Sequence, residues 1–567
     1  MQQSVWEADA TGTLFNLPAG PLQAALGASY RRNRYSYIPD TLMTSGGSFQ
    51  DQVLGLYPSG ITKGMIAATE FYGELSVPVL KDLPLIKSFT LELGARTSHY
   101  NTTGNSFTWK ALGDWQMTDW LRFRGGFNRA ERAPNIAELF LNMQQSFGSA
   151  VGGDVCSMAN PQAWSANPSR NPNWRKTVEI CGALMEASGD PDADKDYYGL
   201  ANPNNTMNTT SPVEGINFAN GADWRTITAL TDAQARTAVA DGARDRTTGQ
   251  FGPNGLITNA QGSGSSFIFP TAMGNPDLTP EVAKTWTLGA VLSSPFKTPL
   301  LERLRLSIDW YSIDVTNVIG LQTGDIVQQL CVDPALNPGV AELDGSGSEA
   351  ALAGVLANCQ RMFTRDQNGA LDNLILTYQN TGHFSTKGLD FQLDWSAPVG
   401  PGRFSLNSVL NYLISFKSTE LEGVSPMREY VGTLGPSNNG LNGGAYRWKL
   451  MTNFGYSIGG LNLNLSWRHL PSVRVEGSVI DPNTTIAGAG AYDLFNLSGG
   501  LKVTDRASFR FGVDNLFNKA PPLIGVDTAG LTPEKPNTLP GGSFSVANAY
   551  FYDQNGRTFY IGASFKF

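Results

Sequence analysis

Gly556–Phe567 reads GRTFYIGASFKF. Phe559, Ile561, Ala563, Phe565 and Phe567 alternate with Tyr560, Gly562, Ser564 and Lys566. A period of two with the large apolar groups on one side is a β-strand with one greasy face. A strand at a chain end frays unless it is paired, and a terminal aromatic gains nothing from exposure to water. Both oddities disappear in a transmembrane antiparallel β-barrel, where such a strand closes the cylinder and turns its apolar face to lipid. The alternative is an edge strand of a soluble β-sandwich, whose apolar face would meet a second sheet.

The same alternation recurs upstream. Phe89, Leu91, Leu93 and Ala95 oppose Thr90, Glu92, Gly94 and Arg96. Leu121, Phe123 and Phe127 oppose Arg122, Arg124 and Asn128. Leu389, Phe391, Leu393 and Trp395 oppose Asp390, Gln392 and Asp394, and Leu461 to Trp467 oppose Asn462, Asn464, Ser466 and Arg468. One face is oily. The other holds Glu92, Arg96, Arg122, Arg124, Asp390, Asp394 and Arg468, expected to line a polar lumen. Trp310, Trp395 and Trp467 fall near strand ends, where aromatic girdles meet a membrane interface. The phase slips near Trp310–Tyr311, which predicts a β-bulge there.

Composition agrees. The 567 residues include 62 Gly and 10% aromatics, with only 16% charged residues, against roughly 25% in soluble domains. No apolar run approaches the ~18 residues of a membrane helix, whereas a barrel strand needs only about 9–11. The net charge of −8 and the lack of a basic cluster argue against nucleic acid. No nucleophile–base set, P-loop or dinucleotide fingerprint appears, so neither an enzyme nor a cofactor is expected.

Strands are expected at 11–17, 21–37, 63–79, 85–102, 105–117, 120–130, 283–293, 302–318, 371–396, 403–416, 444–457, 461–470, 491–503, 507–517 and 549–567, about 15 in all. Their connections alternate between tight turns and long loops (38–62, 131–282, 319–370, 417–443, 471–490 and 518–548), with 103–104 as the exception. Short periplasmic turns and long extracellular loops are the outer-membrane pattern. An odd count does not close an ordinary bacterial barrel, so further strands are expected before residue 1. MQQSVWEADA does not read as a signal peptide.

Several stretches then resemble the TonB-dependent outer-membrane receptors. FNRAERAPNIAELF (127–140), GNPDLTPEVAKTWTLGAVL (274–292), NTGHFSTKGLDFQLDW (380–395), FGVDNLFNKAPP (511–522) and the terminal strand ending in Phe567 follow that family's segments in order. The resemblance implies a barrel of 22 strands, of which these would be the last fifteen. It implies the outer membrane of a Gram-negative bacterium, lipid around the barrel, a monomer, and energised uptake of a scarce solute such as siderophore-iron, cobalamin or an oligosaccharide. In a whole receptor the partners would be the TonB complex and an extracellular small-molecule ligand. The family's signal peptide, TonB box and plug domain find no counterpart in 1–567, which reads as a partial barrel. A passive porin-like channel is the rival.

The loops supply the candidate chemistry. Segment 131–282 holds Trp164, Trp174, Tyr197, Tyr198 and Trp224, rings that could stack on a ligand or pack the loop's own core. Its stretch 228–246 has helical composition. Arg129 and Arg132, where strand meets loop, could attract an anionic ligand or pair structurally. Cys156, Cys181, Cys331 and Cys359 permit three pairings. The local one is expected, closing each loop on itself for ~3 kcal/mol. Asp190, Asp192, Asp194 and Asp196 recur at every second position as in calcium loops, without the glycine or the distal acid of that motif.

Overall fold

A computed structural model describes residues 1–40, 59–145, 153–160, 162–198, 222–242, 270–343, 349–367, 369–435, 443–480, 482–522 and 551–566. Fifteen strands form one antiparallel meander, each hydrogen-bonded to the next in chain order. They are β1 (Gln2–Leu17), β2 (Gly20–Tyr37), β3 (Thr62–Leu83), β4 (Ile86–Tyr100) and β5 (Gly104–Gln116). There follow β6 (Leu121–Arg132), β7 (Glu281–Ser293), β8 (Arg303–Leu321), β9 (Leu371–Val399) and β10 (Gly402–Thr419). The last are β11 (Trp448–Ile458), β12 (Leu461–Leu470), β13 (Tyr492–Lys502), β14 (Ala507–Asp514) and β15 (Thr558–Phe565). Every expected strand has its counterpart. No helix among the described residues is long and apolar enough to cross a membrane, which says nothing of strands.

Three expectations change in detail. The first strand begins at Gln2 rather than 11. The last covers Thr558–Phe565 rather than 549–567, and Phe567 lies outside the described residues. The predicted bulge at Trp310–Tyr311 is not there: β8 stays in register with β7 and β9 from Arg305 through Val315, and the irregularity falls between Val315 and Ile319. Ser312 and Asp314 thus share the face of Trp310. Nothing apolar is required of that face once the strand has left the greasy band, so the pattern slips while the backbone does not.

The register sorts the faces. Ladder partners carry Glu92, Arg96, Arg122, Arg124, Asp390, Asp394 and Arg468 onto one face of the sheet. On the other face Phe559, Ile561 and Phe565 stand exposed, Ile561 at 82%, with Trp6, Phe71 and Trp286 among the strands before them. Rings cluster there toward both ends. Trp115–Phe123 and Trp395–Phe404 sit near the short turns, and Trp467–Phe495 near the long loops.

The polar face is held by contacts that leap over a strand. Arg124 on β6 grips Asp309 on β8 through two bonds of 2.8 Å, crossing β7 at Gly289. A Cβ on Gly289 would lie 2.0 Å from Asp309 Oδ1. Lys110 on β5 reaches Glu74 on β3 at 3.0 Å over Gly94, where a Cβ would meet the Lys110 side chain at 2.8 Å. Tyr72 on β3 donates to Glu7 on β1 at 2.9 Å, passing over Gly27. Side chains two strands apart meet most readily on the concave side of a curled sheet, with a missing Cβ between them.

Candidate functional site

All the long connections leave from one end of the meander. Two of them, after β6 and after β8, form a single helical module. The first carries α1 (Ile136–Phe140), which packs apart from the module with Leu278 and Ile319, and contributes α2 (Trp174–Glu186), α3 (Ala193–Tyr197), α4 (Trp224–Thr228) and α5 (Asp232–Gly242); the second contributes α6 (Gly324–Val332), α7 (Pro338–Ala341) and α8 (Glu349–Cys359). Helix α2 is buried on nearly every side, from Thr177 to Met185, as suits a central element. Around it one apolar cluster mixes Val155, Val178, Ile180 and Met185 of the first connection with Val327, Val355 and Phe363 of the second and Leu374 at the start of β9. The two segments share a core, which separate loop readings did not foresee.

Covalent and polar ties close this core. Disulfides join Cys156 to Cys181 and Cys331 to Cys359, the local pairing, with Cα atoms 5.6 and 5.0 Å apart. Arg365 and Asp154, one from each connection, form a buried bidentate pair at 2.7 and 2.8 Å. Gln328 of α6 accepts from the Val155 amide at 2.8 Å and donates to the Gly153 carbonyl at 3.0 Å. Burial would lower the Arg365 pKa, and the Asp154 charge more than offsets that, so the guanidinium stays charged.

The expected ligand-facing rings are interior. Trp174, Tyr197, Tyr198 and Trp224 are each at most 4% exposed, and Trp164 packs against the same cluster half-buried. Tyr197 donates to Asp154 at 2.9 Å and Tyr198 to the Cys156 carbonyl at 3.1 Å. Burial drives both phenols upward in pKa. Large flat side chains supply most of the apolar area of a small domain, and here that area is spent on its own core. The ligand-stacking expectation for these four is corrected on that ground.

The aspartate run is also corrected. The chain is helical from Ala193 to Tyr197, and residues two apart on a helix point to opposite sides, so the four carboxylates do not converge. Asp190 accepts the Asp192 amide at 2.9 Å, Asp192 pairs with Lys195, and Asp194 turns inward to accept the Trp224 amide at 2.9 Å. Asp194 instead meets Glu186 and Asp223, neither of which the spacing pointed to.

Where the module joins the barrel, Arg132 is fully engaged. Its Nε and Nη2 bond Glu281 at 2.6 and 2.8 Å, and its Nη1 bonds Glu138 at 3.0 and 3.1 Å. Glu138 also closes a capping box with Asn135 at the start of α1. Arg129 pairs with Glu131 at 2.5 Å. Asn380 accepts from the Thr279 amide at 2.8 Å and donates to the Thr279 and Asn317 carbonyls at 2.9 Å. The segments 127–140, 274–292 and 380–395 therefore meet in one joint at the barrel rim. Beside it a cavity of about 800 Å³ opens between β2, β3 and the segment Glu131–Ala137, with Arg31, Asn33, Tyr35 and Tyr100 in its wall.

On the polar wall, Arg122 pairs with Asp114, Arg96 lies 3.8 Å from buried Glu70, and Asp390 accepts from Asn411 at 2.6 Å. Asp394 accepts from Gln392 at 2.9 Å, and Arg468 donates to the Phe551 carbonyl at 2.8 Å. Glu92 shares a cleft with Glu74 and Lys110.

Comparison with known proteins points the same way. A mutant ferric enterobactin receptor from Pseudomonas aeruginosa superposes with a TM-score of 0.51 at 14% identity, over 99% of this chain and 53% of the receptor. Another mutant of that receptor, in complex with enterobactin, gives 0.50 at 13% identity, over 99% and 54%. The heme/hemopexin utilization protein C of Haemophilus influenzae is 25% identical over 201 residues, 33% of this chain and 25% of that protein. The chain thus spans about half the length of the receptors it superposes on. Residues 2–516 match the family model described as TonB dependent receptor-like, beta-barrel, and the chain belongs to that family.

Proposed function

We propose that this chain is the barrel portion of an outer-membrane receptor that takes up a scarce solute with energy delivered through TonB. The barrel would sit in the outer membrane of a Gram-negative cell as a monomer. The short turns would face the periplasm, the helical module the outside. The solved structures it superposes on are named as ferric enterobactin receptors, and the curated relative is named for heme and hemopexin utilization. Iron carriers are accordingly the solute class to test first. The observation that carries the reading is the barrel itself, matched to the family over 2–516, with a disulfide-tied module at its long-loop end. No comparison supports a passive porin.

The test is genetic. A strain lacking the gene for this chain is grown on limiting iron supplied as heme or as iron chelates. Loss of growth on one source, restored by the gene and absent again without TonB, is the expected result. Growth equal to the parent on every source would overturn the iron reading. Restoration that needs no TonB would overturn the energised one.

A further inference from the structure

Glu186 at the end of α2, Asp194 in α3 and Asp223 at the start of α4 each bring a carboxylate oxygen within 4.8 Å of the other two. Asp194 is 1% exposed; its Oδ2 accepts the Trp224 amide, while its Oδ1 has no hydrogen-bond partner among the described residues. A carboxylate oxygen can only accept, so one buried beside two more carboxylates is costly unless a cation meets it. Arg225 answers part of this: its Nη1 lies 2.8 Å from Glu186 Oε1 and 3.6 Å from Asp223 Oδ2. One guanidinium against three carboxylates leaves two negative charges.

We propose that Glu186, Asp194 and Asp223 form a binding site for calcium. An all-oxygen, all-carboxylate set suits a hard cation and lacks the Cys or His ligands that zinc and copper sites favour. Calcium takes carboxylate oxygens at about 2.3–2.6 Å in flexible geometry, whereas magnesium demands a near-ideal octahedron at about 2.0–2.1 Å and keeps several of its waters. A divalent ion cancels the two charges left over and satisfies Asp194 Oδ1. It ties the end of α2 to α3 and to the start of α4. The site is independent of the transported solute.

Trp224 supplies the probe, since its amide meets Asp194 and its ring nitrogen lies 3.0 Å from Glu186 Oε1. The full chain, folded in detergent micelles with both disulfides formed, is titrated with terbium chloride under tryptophan excitation, then with calcium chloride. Saturable emission is expected, with a Kd at or below about 1 mM, as for extracellular calcium modules. Calcium should displace it. Asp194→Asn and Glu186→Gln should each weaken it at least tenfold, and Asp190→Asn and Asp196→Asn should leave it unchanged. The near-UV spectrum identifies folded variants, and Glu186→Gln decides if Asp194→Asn does not fold. Emission that never saturates, that calcium does not displace, or that persists in a folded Glu186→Gln protein overturns the site. So does a loss that follows Asp190→Asn.

Discussion

Arg365 and Asp154, 211 positions apart in the chain, face each other through two hydrogen bonds of 2.7 and 2.8 Å with both side chains essentially out of water. The pair bridges two connections that a strand count treats as separate loops. It makes them one folding unit. Tyr197 completes the shell by donating to Asp154, and the Gly369 carbonyl accepts from Arg365.

Breaking that pair from one side should therefore be expensive. Arg365→Met leaves Asp154 charged and buried, a loss of about 3–5 kcal/mol. The double variant Arg365→Met/Asp154→Leu removes both charges and should recover part of that loss. Limited proteolysis of the module, with heat-modifiable gel mobility reporting the barrel, separates the two effects. Cutting within 153–198 at unchanged barrel mobility is the expected pattern.

The disulfides should act together. Each closes a loop of 25 or 28 residues, worth ~3 kcal/mol if alone. Because both staple one core, losing the second after the first should cost less than losing it alone. Denaturant unfolding of Cys156→Ser/Cys181→Ser, Cys331→Ser/Cys359→Ser and the fourfold variant, followed by near-UV dichroism, measures this.

Gly289 should matter more than the ion pair that crosses it. The Arg124 and Asp309 side chains are 47% and 28% exposed, so Asp309→Asn should cost under about 1 kcal/mol. Gly289→Ala places a methyl where the Asp309 carboxylate lies and should cost about 1–3 kcal/mol. The pair Gly289→Ala/Asp309→Ala should be milder than Gly289→Ala alone. Thermal unfolding in micelles ranks the three.

Glu476, in a short 3₁₀ turn after β12, has its pKa raised to about 7 by burial and then by the Glu420 charge. A carboxyl raised above its unfolded value of 4.5 contributes stability that is fully present below 4.5 and is lost as pH rises through 7. The melting temperature should fall across that window in the wild type and fall less in Glu476→Gln. A parallel decline in both proteins would exclude Glu476 as the source.

What the sequence disclosed follows from the range of the forces involved. Strand order and the two-faced pattern came from a period of two that any stretch of a dozen residues displays. The local disulfides followed from chain entropy. The joint core did not: nothing near Val155 announces Val327 or Phe363. The aspartates at 190–196 misled because an every-second-residue pattern means convergence only in a continuous loop, and the backbone turns helical from Ala193. Arg132 showed its place in the motif but not its partners, since Glu281 lies 149 positions on. The glycines that let Arg124 and Lys110 cross a strand carry no side chain to read.

Energised uptake through this barrel is open to direct measurement. The most direct measurement is accumulation of a radioactive iron carrier by cells expressing the gene from its full reading frame, with and without a protonophore. Accumulation that depends on the gene and collapses when the proton-motive force is removed is the result predicted here. Accumulation that depends on the gene but persists without that force would mean a passive channel and contradict the account.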